Sequence, residues 1–225
     1  MQTEEFADIT CQSQPMLGQA PHCGDGVWSY QHAEGLFGLL CDGSGHGIEA
    51  ERIQQQALAV TKKLLKTADK VDLIALFVAL HAQLRNSRGM VAVAFLLRAD
   101  GRLDFVHIGD VSLCHFHSNA THQSRFQVAR SNEQQGIIGY HMPTPSVQHW
   151  QCQPGQWLVA HSDGIRRSTS SDQWRSLLQH GLSTSTIALH TMRQLADGRD
   201  DASSIVVHYW GKRPLATWPA GEVTK

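Results

Sequence analysis

Excess charge of either sign is missing from this sequence. Nineteen lysines and arginines nearly balance twenty aspartates and glutamates, for a net charge of -1 with the histidines neutral. Without a basic surplus, nothing argues for nucleic acid or an anionic membrane surface as a partner. Long apolar runs are missing too: the longest, Leu73 to Leu80, falls far short of the roughly 20 residues a membrane-spanning helix requires. Met1-Gln2-Thr3-Glu4-Glu5 is acidic and no apolar stretch follows it, so no signal peptide is expected. The cysteines (Cys11, Cys23, Cys41, Cys114 and Cys152) are odd in number and no two form Cys-x-x-Cys. That argues against a disulfide scaffold or a zinc ribbon and for a reducing cytoplasm. The 14 histidines are scattered, with no helical metal-binding pair, and read as surface and strand-face residues rather than zinc ligands. There is no internal repeat and no low-complexity segment.

What remains is an ordinary globular composition, 41% hydrophobic and 17% charged over 225 residues. One domain is the expected organisation, with a core over about residues 20–210, a polar amino-terminal segment and a carboxy-terminal tail. Residues 1–22 read as an edge strand plus loop. Gly35 to Cys41 is a short buried strand stopped by Gly43-Ser44-Gly45-His46-Gly47. Glu49 to Lys66 has helical spacing, with Ile53, Ala57, Val60 and Leu64 on one face, and Val71 to Arg85 forms a second helix, apolar nearly all round and so packed inside. Strands follow at Met90–Leu97, Leu103–Ile108, Ser112–Phe116, Phe126–Ala129, Ser146–Cys152 and Gln156–His161. Two short helices, near Asp172–His180 and at Thr184–Leu195, precede a last strand at Ser204–Tyr209; the tail from Gly211 to Lys225 is expected to be loosely held. Consecutive strands joined by tight turns imply antiparallel sheets. The fold class is therefore α+β: a four-layer αββα sandwich, two antiparallel β-sheets flanked by helices.

Four aspartates sit where apolar runs stop: Asp25, Asp42, Asp163 and Asp200. A carboxylate at the mouth of a buried strand is costly unless it is hydrogen-bonded or holds a cation. Four of them suggest a shared oxygen-only site for a hard divalent metal. An Asp-Gly pair is first of all a hairpin signal, and Asp100-Gly101 is read that way, linking two strands. Asp42-Gly43 differs, because an apolar run leads into it and three glycines in five residues lead out into a helix. Asp163 likewise follows Trp157-Leu158-Val159-Ala160 and precedes a polar stretch. A nucleotide cradle is excluded: Gly43-x-Gly45-x-Gly47 is not Gly-x-Gly-x-x-Gly, and no Gly-Lys-Ser/Thr is present.

The segments Cys41-Asp42-Gly43-Ser44-Gly45-His46-Gly47, Ser162-Asp163-Gly164-Ile165 and Arg199-Asp200-Asp201-Ala202-Ser203 resemble three hallmark motifs of the metal-dependent PPM (type-2C) serine/threonine protein phosphatases. Their order and separation match, Gly24-Asp25 fits the amino-terminal acidic motif of the bacterial branch, and Val106-His107-Ile108-Gly109-Asp110 resembles its central strand segment. The Asp-Gly-x-Gly-His-Gly form and the small size resemble the SpoIIE-type branch, and especially the RsbX-like phosphatases of bacterial stress signalling.

The resemblance implies two divalent cations, Mn²⁺ or Mg²⁺, at one end of the sandwich. Asp42 would bridge them, the Gly43 carbonyl would bind one, Asp163 and Asp200 would complete the other site, and Asp25 would bind metal or hold its waters. His46, two positions later than the histidine of the eukaryotic pattern, would donate a proton to the leaving group or pack the loop. No arginine precedes Asp25 to grip phosphate; Arg166 or Arg167, just beyond Asp163, is the candidate substitute, against the usual reading of arginines after a turn as solvated, and Asp201 is a supporting residue rather than a ligand. The implied activity is hydrolysis of phosphoserine or phosphothreonine on a cytosolic bacterial signalling protein, a STAS-domain stressosome component, or alternatively on an anti-sigma-factor antagonist. The resemblance uses most of the length, so no appended sensor domain is expected, and the protein would act as a monomer or weak dimer. A catalytically inactive phosphoprotein-binding adaptor and a calcium-stabilised binding module are the rival readings.

Overall fold

Strands that are apolar along their whole length need a covering layer on each face, and the architecture follows from that requirement. The computed structural model describes residues 5–118, 126–132, 134–165, 169–178 and 181–211. Along them run β1 (Ala7–Gln14), β2 (Asp25–His32), β3 (Gly35–Gly43), α1 (Ile48–Thr67), α2 (Leu73–Gln83), β4 (Met90–Leu97), β5 (Arg102–Ile108), β6 (Ser112–Ser118), β7 (Phe126–Arg130), β8 (Gln148–Gln151), β9 (Gln156–His161), α3 (Ser171–Leu178), α4 (Thr184–Leu195) and β10 (Ala202–Tyr209). The strands make two five-stranded sheets, ordered β1-β10-β9-β6-β7 and β2-β3-β4-β5-β8. Every named strand pairing is antiparallel.

Three apolar layers hold the sandwich. Between the sheets, Leu40, Val93, Phe95 and Phe105 meet Leu113, Leu158, Ile205 and Val207. The opposite face of β3 and β4, with Phe37, Leu39, Ala92 and Ala94, packs on Ile53 and Ala57 of α1 and on Leu76, Phe77 and Leu80 of α2. The outer face of the other sheet packs Phe116, Val159 and Val206 against Trp174 of α3 and Ile187 and Met192 of α4. Adjacent residues of β3 and β4 thus enter different cores, which is why these strands read as continuous apolar runs. The α+β, αββα arrangement expected from the sequence is the one found. Asp72 caps α2 by accepting from the Ala75 N–H at 2.9 Å, and Ser183 caps α4 through Thr186 N–H at 3.2 Å.

Three details differ from expectation. The strand β2 has no counterpart in the sequence reading; as an edge strand its Trp28–Gln31 stretch is half-buried or exposed, so no apolar run marks it. The helix α2 is not enclosed: Ile74 and Val78 face solvent, because an outer-layer helix covers the sheet with one face only. Asp25 does not end an apolar run but opens β2, and Asp200 precedes β10; only Asp42 and Asp163 terminate the apolar strands β3 and β9. Antiparallel neighbours start where the others stop, so both kinds of position reach one end of a sheet. All five cysteines are free thiols. Among the described residues, no helix is long and apolar enough to cross a membrane. Arg166, Arg167 and residues 212–225 of the tail lie outside the described residues.

Candidate metal centre

Backbone pairing brings the acidic motifs to one end of the sandwich. In the β2–β3 ladder Asp25 lies opposite Asp42, and the Gly43 amide donates to the Gly24 carbonyl at 3.1 Å. On the other sheet the Ser162 amide donates to the Ser203 carbonyl at 3.1 Å, and the Ser203 amide to Ser162 Oγ at 2.9 Å. Asp201 joins the two sheets. Its side chain, 3% exposed, accepts from the Gly24 amide at 2.6 Å and the Met16 amide at 2.7 Å. Gly164 admits this approach: a Cβ there would fall 2.0 Å from the Asp201 carbonyl oxygen, so any side chain would force the Asp163 turn away. The turn after β3 passes through Gly45 and Gly47 at φ of 97° and 73°, the left-handed region that favours glycine, and α1 starts directly after it.

These segments surround a cavity of about 610 Å³. Asp42, His46, Asp163 and Asp200 line it. Asp25 does not; it is 2% exposed and lies behind Asp42 in the ladder. Gly43 is held beside them through its bond to Gly24. Asp110 and Arg199, which stand in the motifs but have no role assigned from the sequence, line the cavity, and Met16, Val91 and Ile137 give it apolar walls. Asp110 carried a signal, since Gly109-Asp110 directly after β5 repeats the Gly-Asp order of Gly24-Asp25.

The electrostatics are those of a carboxylate-rich pocket with one arginine, Arg199, on its wall. Burial, then the charges of Asp25, Asp163, Asp200 and Asp110, push the Asp42 carboxyl up to about 9. Burial raises Asp25 to about 7, with Asp201 and Asp163 adding to the effect and the hydroxyls of Ser162 and Ser203 moderating it. Those hydroxyls stand near without completing a bond: both Asp25 carboxylate oxygens are buried with no hydrogen bond of good geometry. Burial foremost, then the Asp25, Asp201 and Asp42 charges, raises the Cys23 thiol to about 12 against the bonding of the Asp25 backbone. Among the described residues, no three carboxylate, imidazole or thiol side chains are already gathered into a ready-made ligand set. Like charges in a buried pocket spread apart, whereas a hard cation reverses that balance. The orphaned oxygens of Asp25 and the predominance of carboxylates around Asp42 fit Mg²⁺ or Mn²⁺ rather than a softer metal.

Comparison with known proteins points the same way. The profile of the Stage II sporulation protein E (SpoIIE) family matches residues 33–210. No curated protein sequence matches the chain. A structure reported for the bacterial stressosome, a modular system adapted to control secondary messenger signaling, superposes with a TM-score of 0.77 at 24% identity, covering 91% of this chain and 100% of the other. The crystal structure of RsbX in complex with magnesium gives 0.75 at 16% identity, covering 92% and 98%. The catalytic domain of the serine/threonine protein phosphatase PstP in complex with two manganese ions gives 0.70 at 18% identity, covering 91% and 99%. These likenesses establish a shared fold. With the SpoIIE profile spanning most of the length, from β3 to the end of β10, the chain belongs to the SpoIIE-type branch of the metal-dependent PPM (PP2C-type) phosphatase family.

Proposed function

We propose that the protein is a metal-dependent serine/threonine protein phosphatase whose catalytic end is the cavity around Asp42. One observation carries the reading: Asp42, Asp110, Asp163 and Asp200, from distant parts of the chain, line one cavity, with Asp25 paired to Asp42 in the ladder, a concentration of carboxylates that shared cations would offset. Asp42, the Gly43 carbonyl, Asp163 and Asp200 would hold two divalent cations, Mg²⁺ or Mn²⁺. Asp25 would balance their charge from behind. The structures of RsbX with magnesium and PstP with two manganese ions support that pair. When bound, such a pair supplies an acidified water as nucleophile and neutralises phosphoryl oxygens.

The chain's own residues do the remaining work. Asp201 fixes the spacing of the Asp25 and Asp200 segments through its two amide bonds. Met16, Val91 and Ile137 line the cavity with apolar surface and limit the water that reaches the phosphoryl group. His46 is exposed on the cavity wall and makes no hydrogen bond among the described residues, which favours proton donation to the departing serine or threonine oxygen over loop packing.

The substrate is a phosphorylated cytoplasmic regulator of the STAS-domain, stressosome type. The likeness to a structure reported for the stressosome and to RsbX supports this choice. The test is Mn²⁺-dependent hydrolysis of p-nitrophenyl phosphate and of a phosphorylated STAS-domain protein. Asp42→Asn should abolish both and leave the fold intact. Turnover retained in that variant refutes the site; activity on the small ester alone refutes the protein substrate.

A further inference from the structure

Among the described residues, the two large hydrophobic side chains that face solvent most fully, Leu17 at 81% and Tyr140 at 78% exposure, stand on turns that each carry a cavity-lining residue, Met16 and Ile137. Single exposed hydrophobics are ordinary. What sets these two apart is that they stand on turns bearing cavity-lining residues, and those turns are held by backbone bonds. Around Leu17, the Met16 amide donates to Asp201 at 2.7 Å, the Leu17 amide to the Gly198 carbonyl at 3.3 Å and the Gln19 amide to the Met16 carbonyl at 3.1 Å. Around Tyr140, the Ile137 amide donates to the His141 carbonyl at 2.9 Å and the Ile138 amide to the Met90 carbonyl at 2.8 Å. The Tyr140 amide donates to the Ile137 carbonyl at 3.2 Å, and the Gly139 amide donates to His81 Nδ1 at 3.0 Å. A pinned turn that displays a large apolar side chain to water has already lost the freedom that docking would otherwise remove. Tyrosine so displayed is suited to anchor a partner segment, and leucine adds apolar surface for it to cover.

We propose that Leu17 and Tyr140 form two edges of a docking rim for the segment that carries the phosphorylated residue, and that the rim favours segments with apolar side chains on both sides of it. The proposal rests on the phosphatase reading, and the cavity identifies the occupant. A phosphorylated side chain that reaches Asp42 must bring its own backbone past the turns bearing Met16 and Ile137, which line the same cavity as Asp42. At about 610 Å³ the cavity is large enough to take neighbouring side chains along with the phosphorylated one. Met16, Val91 and Ile137 give the cavity itself apolar surface for side chains that flank the phosphorylated one.

Two phosphoserine peptides differing only in leucine or serine on either side of the phosphorylated residue test this, with p-nitrophenyl phosphate as a substrate that has no flanks. In Mn²⁺, the unaltered protein should prefer the leucine-flanked peptide by about tenfold in kcat/KM, expressed mainly in KM, as partial burial of apolar surface predicts. Leu17→Ser and Tyr140→Ser should each reduce that preference, and the double variant should abolish it, with turnover of p-nitrophenyl phosphate unchanged. Equal rates on the two peptides, or a preference that survives the double substitution, overturns the rim while leaving the phosphatase reading in place. A parallel loss on p-nitrophenyl phosphate shows the residues to be structural and overturns it too. Hydrolysis of p-nitrophenyl phosphate with neither peptide accepted refutes the protein-substrate reading itself, and the rim with it.

Discussion

Asparagine in place of Asp42 should stabilise the metal-free protein even as it removes activity. The Asp42 carboxyl is raised from 3.8 to about 9, first by burial and then by the charges of Asp25, Asp163, Asp200 and Asp110. Each tenfold change in a group's proton affinity is worth about 1.4 kcal/mol. At a pH of about 7.5, the interval above 3.8 amounts to about 5 kcal/mol for a group titrating alone. Asp42 shares its repulsion with Asp25 and is partly exposed, so about half of that, roughly 2–3 kcal/mol, is the expected gain on substitution. The amide keeps the shape of the carboxylate and carries no charge.

The sign follows from linkage. A carboxyl raised in the folded state holds a proton that the unfolded chain has released, so stability falls as pH rises from about 4 toward about 9. Urea unfolding in chelator should therefore show the Asn variant ahead by roughly 2–3 kcal/mol near pH 7.5 and by less than about 1 kcal/mol near pH 5. Saturating Mn²⁺ should reverse the order, because only the unaltered protein gains the full stabilisation of binding. An Asn variant that is less stable in chelator, by an amount independent of pH, would show that Asp42 is not an uncompensated anion and would refute the electrostatic case for the site.

Three other outcomes follow from the same geometry. The apparent Kd for Mn²⁺ should fall severalfold between pH 6 and pH 8, since binding displaces protons from the Asp42 and Asp25 carboxyls, both raised by burial; a Kd measured by calorimetry that does not change with pH would contradict this. Asp201→Ala leaves the amides of Gly24 and Met16 without their acceptor and should cost about 3 kcal/mol, a fall of roughly 6–12 °C in Tm, whereas Asp201→Asn should recover part of the loss; an unchanged melting curve for the alanine variant would remove Asp201 as the tie between the sheets. Gly164→Ala places a methyl 2.0 Å from the Asp201 carbonyl oxygen and should destabilise by about 1–3 kcal/mol while lowering activity through displacement of Asp163, so a fully active variant of normal stability would show that the turn can yield.

Which parts of this site could be read from the chain depends on how tightly each role restricts residue type. Asp42 was legible because an anion at the end of the apolar strand β3 conflicts with its surroundings, and a glycine-rich exit rules out the ordinary hairpin explanation. Asp163 was legible for the same reason at the end of β9. Asp110 was not, since β6 resumes two residues later and makes Gly109-Asp110 look like a turn between strands. The sandwich itself was legible from paired apolar runs and tight turns; the edge strand β2, half-buried or exposed from Val27 to Gln31, was not. The supporting bonds left the least trace. Asp201 acts on the backbone amides of Met16 and Gly24, 185 and 177 positions away, and because an amide donor can come from any residue but proline, no residue type at those positions announces the contact. Cation sites constrain side chains and so leave a signature, whereas the bonds that hold those side chains in register recruit backbone, and only the folded chain reveals them.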